Sequence, residues 1–291
     1  MQRNGAGDGY IVLATGAAPY VEMATNLAAS LRVMDPGRRV CLVHDEGAAL
    51  PEETRRLFTD FAPLARDDRY PPVMNKLRLF GLTPYARTMY VDADCLLVKR
   101  DVDRQWARAA SRPFSITGDM ATTGVWHGVR IEEVLRQEGA PYLVRMNAGV
   151  FQFDDSPEAA AFFAGLDRYY LDRRDHLNIS LYRGQRTQTD ELYLGLWMGL
   201  NGMDAANMAN QGRDSWMVST WRALWCDFRP EQGRSLILKG DRHLLGVPVL
   251  PRRVVPLSPT FAHFIGLKPR RLYARLARRF RDIALERRPV A

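Results

Sequence analysis

Met89-Tyr90-Val91-Asp92-Ala93-Asp94-Cys95-Leu96-Leu97-Val98 is a β-prone apolar run broken only by two carboxylates one residue apart. Side chains alternate along a strand, so an extended segment carries Asp92 and Asp94 on one face. Two anions on one face are costly unless a cation lies between them. Hard divalent ions such as Mg²⁺ and Mn²⁺ take carboxylate oxygens and keep positions for water and phosphate. The pair therefore points to a metal that anchors a nucleotide diphosphate. Asp-x-Asp also occurs often by chance, and a strand running into a solvated turn is the competing reading.

The residues before this run alternate in pattern. Positions 10–15 read as a strand followed by Gly16, 19–34 as an amphipathic helix, 39–44 as a second strand, 52–61 and 74–82 as helices, and 88–94 as the strand that delivers the acids. Strand, helix, strand predicts parallel pairing through right-handed crossovers and hence an α/β protein. Ligands of open sheets gather beyond the carboxyl ends of the strands, where both Thr15-Gly16 and Asp92-Ala93-Asp94 fall. No Gly-x-Gly-x-x-Gly follows the first strand and no P-loop occurs, which leaves phosphate binding to the acidic pair. Beyond residue 110 the alternation becomes irregular. Strands are expected near 113–117 and 146–153 and helices near 157–170 and 189–200, followed by a segment rich in Trp and Met. The predicted organisation is a loose tail over 1–9, one α/β domain over 10–267 and a C-terminal helix over 268–291.

The chain has 291 residues, 46% hydrophobic and 25% charged, the balance of a soluble globular protein. Cys41, Cys95 and Cys226 are widely spaced in apolar contexts and read as reduced buried thiols of a cytoplasmic protein, not as a disulfide framework. No apolar stretch approaches the ~20 residues of a membrane span. The formal charge of +8 is concentrated: residues 268–288 hold nine Lys and Arg against Asp282 and Glu286. Leu272, Tyr273, Leu276, Phe280 and Ile283 recur there at helical spacing, which predicts a basic amphipathic helix. Such a helix either lies on an anionic lipid surface or packs its apolar side on the domain. Nucleic acid is not expected as a partner, because no basic patch interleaved with aromatics occurs elsewhere.

With these pieces placed, the chain resembles the glycogenin-like retaining glycosyltransferases (glycosyltransferase family 8), which include bacterial lipopolysaccharide sugar transferases. The resemblance covers about residues 10–270 and rests on five pieces in order: Ile11-Val12-Leu13-Ala14-Thr15 with Tyr20; Asn75-Lys76-Leu77-Arg78; Tyr90-Val91-Asp92-Ala93-Asp94; Met146-Asn147-Ala148-Gly149-Val150-Phe151; and His263-Phe264-Ile265-Gly266-Leu267-Lys268-Pro269. It implies a GT-A fold, a single Rossmann-like mixed sheet flanked by helices. It implies that Asp92, Asp94 and His263 hold Mn²⁺ or Mg²⁺, with Asp92 and Ala93 near the ribose; neutral imidazole is a good nitrogen donor to Mn²⁺. Leu13, Ala14, Thr15 and Tyr20 match positions that hold the nucleoside. Lys76 and Asp119 match residues on the donor sugar or its phosphates, and Asn147 and Gly149 the loop beneath the sugar. Gly266 and Lys268 match the diphosphate end, where Lys268 would stabilise the departing nucleotide.

Asp190 and Glu191 stand where the family has Asp-Gln. Either carboxylate could face the anomeric carbon, and a glutamate is a better nucleophile than an amide. A front-face route, in which the leaving diphosphate takes the acceptor's proton, needs no enzymic nucleophile. Acids at a helix N-terminus are also favoured by the dipole alone. His44, His127, His176 and His243 carry no motif and read as packed or surface residues. Trp197, Trp216, Trp221 and Trp225 line either an acceptor cleft or a core.

The implied function is a metal-dependent retaining transfer of a hexose from a UDP-sugar to a hydroxyl acceptor, a glycan or lipid-linked glycan. The implied place is cytoplasmic, or peripheral on the inner face of a membrane. Two other classes compete. A nucleotidyltransferase needs a basic glycine-rich loop after the first strand, and Thr15-Gly16-Ala17-Ala18-Pro19 lacks a cation. A non-catalytic glycan-binding scaffold would have lost the metal set.

Overall fold

The structure is a computed structural model that describes residues 7–177, 180–182, 185–205, 210–241, 243–244, 247–248 and 251–286. Its first half is the expected alternation: β1 (Asp8–Ala14), α1 (Ala18–Met34), β2 (Arg39–Asp45), α2 (Glu52–Leu57), β3 (Asp60–Leu64), 3₁₀ turns over Pro72–Gly81, β4 (Arg87–Val91) and β5 (Cys95–Leu97). Then come α3 (Val102–Ala109), β6 (Phe114–Ala121), the small hairpin of β7 (Val125–Trp126) and β8 (Val129–Arg130), α4 (Ile131–Glu138), β9 (Leu143–Asp154) and α5 (Pro157–Arg173). The remainder comprises β10 (Ser180–Tyr182), β11 (Gln185–Thr187), α6 (Asp190–Leu200), β12 (Met217–Ser219), β13 (Ala223–Arg229), β14 (Arg234–Gly240), β15 (His243–Leu244), β16 (Val247–Pro248), β17 (Val254–Leu257), β18 (Phe261–His263) and α7 (Arg270–Glu286).

The main sheet runs β3-β2-β1-β4-β9-β6. Its first four strands are parallel, while β9 is antiparallel to both β4 and β6. Both faces are covered, so the strands read as continuous apolar runs whose alternate residues enter opposite cores. Tyr10, Val12, Val40, Leu42, Met89 and Val91 enter one core, and Ile11, Cys41, Val43 and Tyr90 the other.

Several sequence expectations shift. Asp8 and Gly9 pair with Arg87 and Thr88, so they belong to β1 and not to a loose tail; residues 1–6 of that tail lie outside the described residues. The helix expected over 52–61 ends at Leu57, because Phe58 is extended and Thr59 bonds to Val40 at 2.9 Å. The chain there becomes the edge strand β3, and an edge position tolerates Pro63. The strand expected over 88–94 stops at Val91. Asp92-Ala93-Asp94 is a turn closed by the Cys95 amide on the Asp92 carbonyl at 2.9 Å, after which β5 joins a second sheet beside β18 and β12. Strand alternation therefore does not set the two acids.

The C-terminal helix does not form a separate unit. Tyr273, Leu276, Ala277 and Phe280 of α7 are buried in the same core as Ala24, Leu27, Ala28 and Leu31 of α1. Arg281 forms a bidentate pair with Glu53, and Asn26 donates to the Tyr273 hydroxyl at 3.2 Å. Arg287 and Arg288 of the expected basic segment lie outside the described residues.

The placement of α6 matters most for the site, since Asp190 begins it. Gly195 and Gly199, one turn apart, face the start of β9 so closely that a β-carbon would stand 2.4 Å from the Val144 carbonyl and 1.8 Å from the Tyr142 carbonyl. The two glycines let the helix approach that backbone. Gly199→Ala is expected to lower unfolding stability by about 1–3 kcal/mol through overpacking. A urea midpoint equal to that of the native protein would show the contact to be slack.

Candidate active site

Three segments meet beyond the ends of β1 and β4. The 3₁₀ turns supply Lys76, the turn after β4 supplies Asp92, and the first residue of α6 supplies Asp190. Lys76 Nζ lies 3.0 Å from Asp92 Oδ1 and 2.9 Å from Asp190 Oδ2, with its side chain only 12% exposed. Burial works against the charged ammonium, but Asp190 and then Asp92 outweigh it and hold its proton more tightly than usual. Burial pushes the Asp190 carboxyl up against the pull of Lys76, and Glu191 adds to the rise. The Tyr90 hydroxyl donates to Asp92 Oδ1 in a very short bond. Burial and the Asp92 charge keep that phenol protonated.

The second acid is held from the far end of the chain. β18 pairs antiparallel with β5 and sets His263 opposite Cys95, which brings His263 Nε2 to 3.0 Å from Asp94 Oδ1. Burial favours the neutral imidazole, yet Asp94 reverses the direction and holds the His263 proton on. Burial raises the Asp94 carboxyl and the imidazolium more than offsets it, so Asp94 titrates low. His263 Nδ1 is buried without a hydrogen-bond partner. A β-carbon on Gly149 would stand 3.1 Å from Asp92 Oδ2 and 3.3 Å from His263 Nδ1. Only glycine leaves this space between the two groups open.

This arrangement fits a hard divalent ion. Adjacent ligands of an octahedral ion at about 2.1 Å stand about 3 Å apart, close to the separation of His263 Nε2 and Asp94 Oδ1. Asp94 and His263 could offer the oxygen and nitrogen donors that Mn²⁺ or Mg²⁺ accepts, and Asp92, bonded to Lys76 and Tyr90, lines the same cleft. Cys95 also lies near: one ligand atom each from Asp94, Cys95 and His263 falls within 4.8 Å of the others. Its thiol is fully buried and driven well above its ordinary range by that burial, as expected of a packed cysteine. The three cysteines are free thiols, with Cys41 also buried and Cys226 partly so.

A cleft of about 220 Å³ opens over these groups. It is lined by Leu13, Thr15, Tyr20, Lys76, Asp92, Ala93, Asp94 and His263, together with Met23, Pro72, Val73 and Tyr90. Tyr20 stands 44% exposed at its wall. Eight residues singled out from sequence therefore surround one cavity. Asn147, Gly149 and Asp190 sit behind it, touching its lining. Asn147 Oδ1 accepts the Gly149 amide at 3.1 Å, and the Gly149 carbonyl takes the Asp92 amide at 2.7 Å. Glu191 turns to His127 and the Ala148 amide. Ala14 is buried at the end of β1 and faces a neighbouring cleft.

Asp119, Gly266 and Lys268 do not line the cleft. Asp119 lies opposite Arg145 and accepts the Asn210 amide at 3.2 Å. Gly266 occupies a left-handed turn, and the exposed Lys268 places its ammonium 5.3 Å from the centre of the Trp221 ring. Sequence reading missed Tyr90 and His127 as partners of site carboxylates. Tyr90 had a signal, standing two residues before Asp92 in an apolar strand; His127 had none.

No protein-family profile and no curated protein matches the sequence. Among solved structures, the galactosyltransferase LgtC, crystallised with donor and acceptor sugar analogues, matches 97% of this chain and 97% of its own at a TM-score of 0.53 and 15% identity. An active-site Gln-to-Glu mutant of LgtC matches 93% of this chain and 95% of its own, with a TM-score of 0.51 and 14% identity. The chain has the GT-A fold, a mixed sheet flanked by helices.

An ion accepts only the neutral imidazole, so the His263 proton must leave before it binds. Because Asp94 holds that proton to higher pH than a free imidazole does, Mn²⁺ affinity is expected to fall, with proton release on binding, as the pH is lowered, beginning above the ordinary histidine range. Electron paramagnetic resonance of free Mn²⁺ measures it. A flat affinity as the pH is lowered would remove His263 from the ligand set.

Proposed function

We propose that the protein is a metal-dependent retaining glycosyltransferase that moves a hexose from a UDP-sugar to a hydroxyl acceptor, a glycan or lipid-linked glycan. The observation that carries this reading is the Asp94–His263 pair, which shares with Asp92 one cleft walled by Leu13, Thr15 and Tyr20. The GT-A fold gives that geometry its context. In this reading Leu13, Ala14, Thr15 and Tyr20 hold the nucleoside, with the Tyr20 ring on the base. Asp92, Asp94 and His263 hold Mn²⁺ or Mg²⁺, which when bound offsets charge on the diphosphate.

The chain's own groups do the remainder. Lys76 fixes Asp92 and Asp190 in place and adds positive charge at the cleft floor. Asp190 orients the donor sugar, and Asn147 and Gly149 shape the backbone beneath it. Asp119, Gly266 and Lys268, which the resemblance assigns to the sugar and diphosphate, stand outside the cleft lining and would serve only if the ligand extends toward them. The acceptor's proton passes to the leaving diphosphate.

The nucleotidyltransferase reading gains nothing from the loop after β1. The Gly16 amide, which a phosphate cradle would need, donates to Asp45 Oδ2 at 2.7 Å, so a carboxylate stands where a phosphate would. The intact donor set weighs against a scaffold.

Incubation with a panel of nucleotide sugars and Mn²⁺ is expected to release UDP from one sugar, and product NMR to show a retained anomer. Asp94→Asn is expected to lower that turnover by roughly 100-fold or more, since a bound ion is worth several kcal/mol to developing charge. No release from any nucleotide sugar would sink the reading.

No helix among the described residues is long and apolar enough to cross a membrane. The apolar side of α7 is buried in the domain, whereas Arg271, Arg275 and Arg278 are exposed. Any association with an anionic lipid surface therefore rests on charge. Reversing these three arginines to glutamate is expected to abolish salt-sensitive flotation with anionic liposomes while leaving the denaturation midpoint near its native value. Unchanged flotation would remove the membrane proposal.

A further inference from the structure

His127 sits in the β7/β8 hairpin, outside the cleft lining, yet its Nε2 lies 2.6 Å from Glu191 Oε2. The other oxygen, Oε1, accepts the Ala148 amide at 3.2 Å. Both oxygens of one carboxylate are thus engaged, one by the hairpin and one by the backbone segment 147–149 that borders the ion cradle. Ala148 turns its carbonyl to Lys76 Nζ at 3.4 Å, so the same residue links the hairpin to the buried charges.

The hairpin is held where this contact requires it. His127 and Gly128 have φ of +49° and +80°, the pair of left-handed residues that a two-residue hairpin turn uses, so the turn itself sets where the imidazole projects. The neighbouring Trp126 ring lies 4.5 Å from the imidazole and within 3.3 Å of the position a β-carbon on Gly195 would take. Gly195 is four residues after Glu191 and shares its face of α6. One face of one helix therefore seats the indole and receives the imidazole.

We infer that His127 is a positioning residue. It holds the Glu191 carboxylate on the Ala148 amide, fixes the 147–149 backbone beneath the donor sugar, and turns both Glu191 oxygens to protein donors. Its role in turnover rests on the glycosyl-transfer reading above; the clamp itself does not.

The test uses the full-length protein with His127→Ala and with His127→Gln, whose amide nitrogen reaches toward the place of Nε2. Hydrogen exchange of the metal-free protein, read by mass spectrometry on a peptide spanning residues 145–151, is expected to quicken in the alanine variant and to return toward native in the glutamine variant. Peptides from β1 and α1 are expected to stay unchanged, which separates a local release from general destabilisation. With the active donor, the alanine variant is expected to lose about 10- to 100-fold in kcat/KM, the scale of a misplaced reactant. Competitive inhibition by UDP alone is expected to change less than kcat/KM does, because UDP lacks the sugar that lies over this segment. Native exchange at 145–151 in His127→Ala, or a glycosyl adduct on Glu191 of the unaltered protein, would overturn the clamp. If no nucleotide sugar is turned over, the functional reading falls, and the exchange result still decides the clamp.

Discussion

A lysine buried between two carboxylates from distant parts of the chain holds the site together. Taking an ammonium and two carboxylates out of water is expensive, and mutual attraction repays the cost only when geometry and hydrogen bonds are good. Here the 3₁₀ turns, the turn after β4 and the start of α6 each contribute one group, and Tyr90 and the Ala148 carbonyl complete the bonds. Loss of Lys76 would leave two carboxylates unpaired in a buried setting, a defect of about 3–5 kcal/mol by the behaviour of other broken buried pairs. The constraint also explains why α6 must approach β9 as closely as Gly195 and Gly199 permit. A helix held farther off would withdraw Asp190 from the ammonium.

Charge balance then ties this cluster to the ion cradle. Two cationic side chains, Lys76 and His263, face three carboxylates, Asp92, Asp94 and Asp190, so the formal count of the five groups is one negative charge in excess. Exchanging the His263 proton for a divalent cation makes the set neutral. Two buried atoms of the cluster, His263 Nδ1 and Asp190 Oδ2, have no hydrogen-bond partner, and unpartnered buried polar atoms are uncommon in folded proteins, so the cluster is not fully satisfied by its own groups.

Much of this was legible in the sequence where a residue's neighbours along the chain decide its role. β1, α1 and β2 appear within a few residues of their expected ends, and Thr15, Asp92 and Asp94 meet as the strand-end rule requires. Tertiary pairing hid the rest. Residues 58–61 look helical until Thr59 bonds to Val40 and the chain joins the sheet as its edge strand. α3 and α4 are each eight residues long, too short for their apolar spacing to stand out. The arginines of α7 suggested a lipid surface, but Tyr273, Leu276 and Phe280 face α1, a choice that spacing alone leaves open. No pattern in the chain connects His127 with Glu191, because their contact depends on where a two-residue hairpin lands on a helix.

The same point governs how the paired acids should be read. Adjacent residues on a helix point about 100° apart, so Asp190 and Glu191 cannot serve one partner. Asp190 turns inward to Lys76 and Glu191 sideways to His127 and Ala148. In the turn after β4, Asp92 and Asp94 divide in the same way: Asp92 goes to Lys76 and Tyr90, and Asp94 to His263. A strand would have presented both acids alike to solvent. The turn gives them different fields: the imidazole governs Asp94, and Lys76 with the Tyr90 hydroxyl governs Asp92. Four carboxylates that stand in two close pairs along the chain are thus parted by tertiary contacts, each facing its own partners.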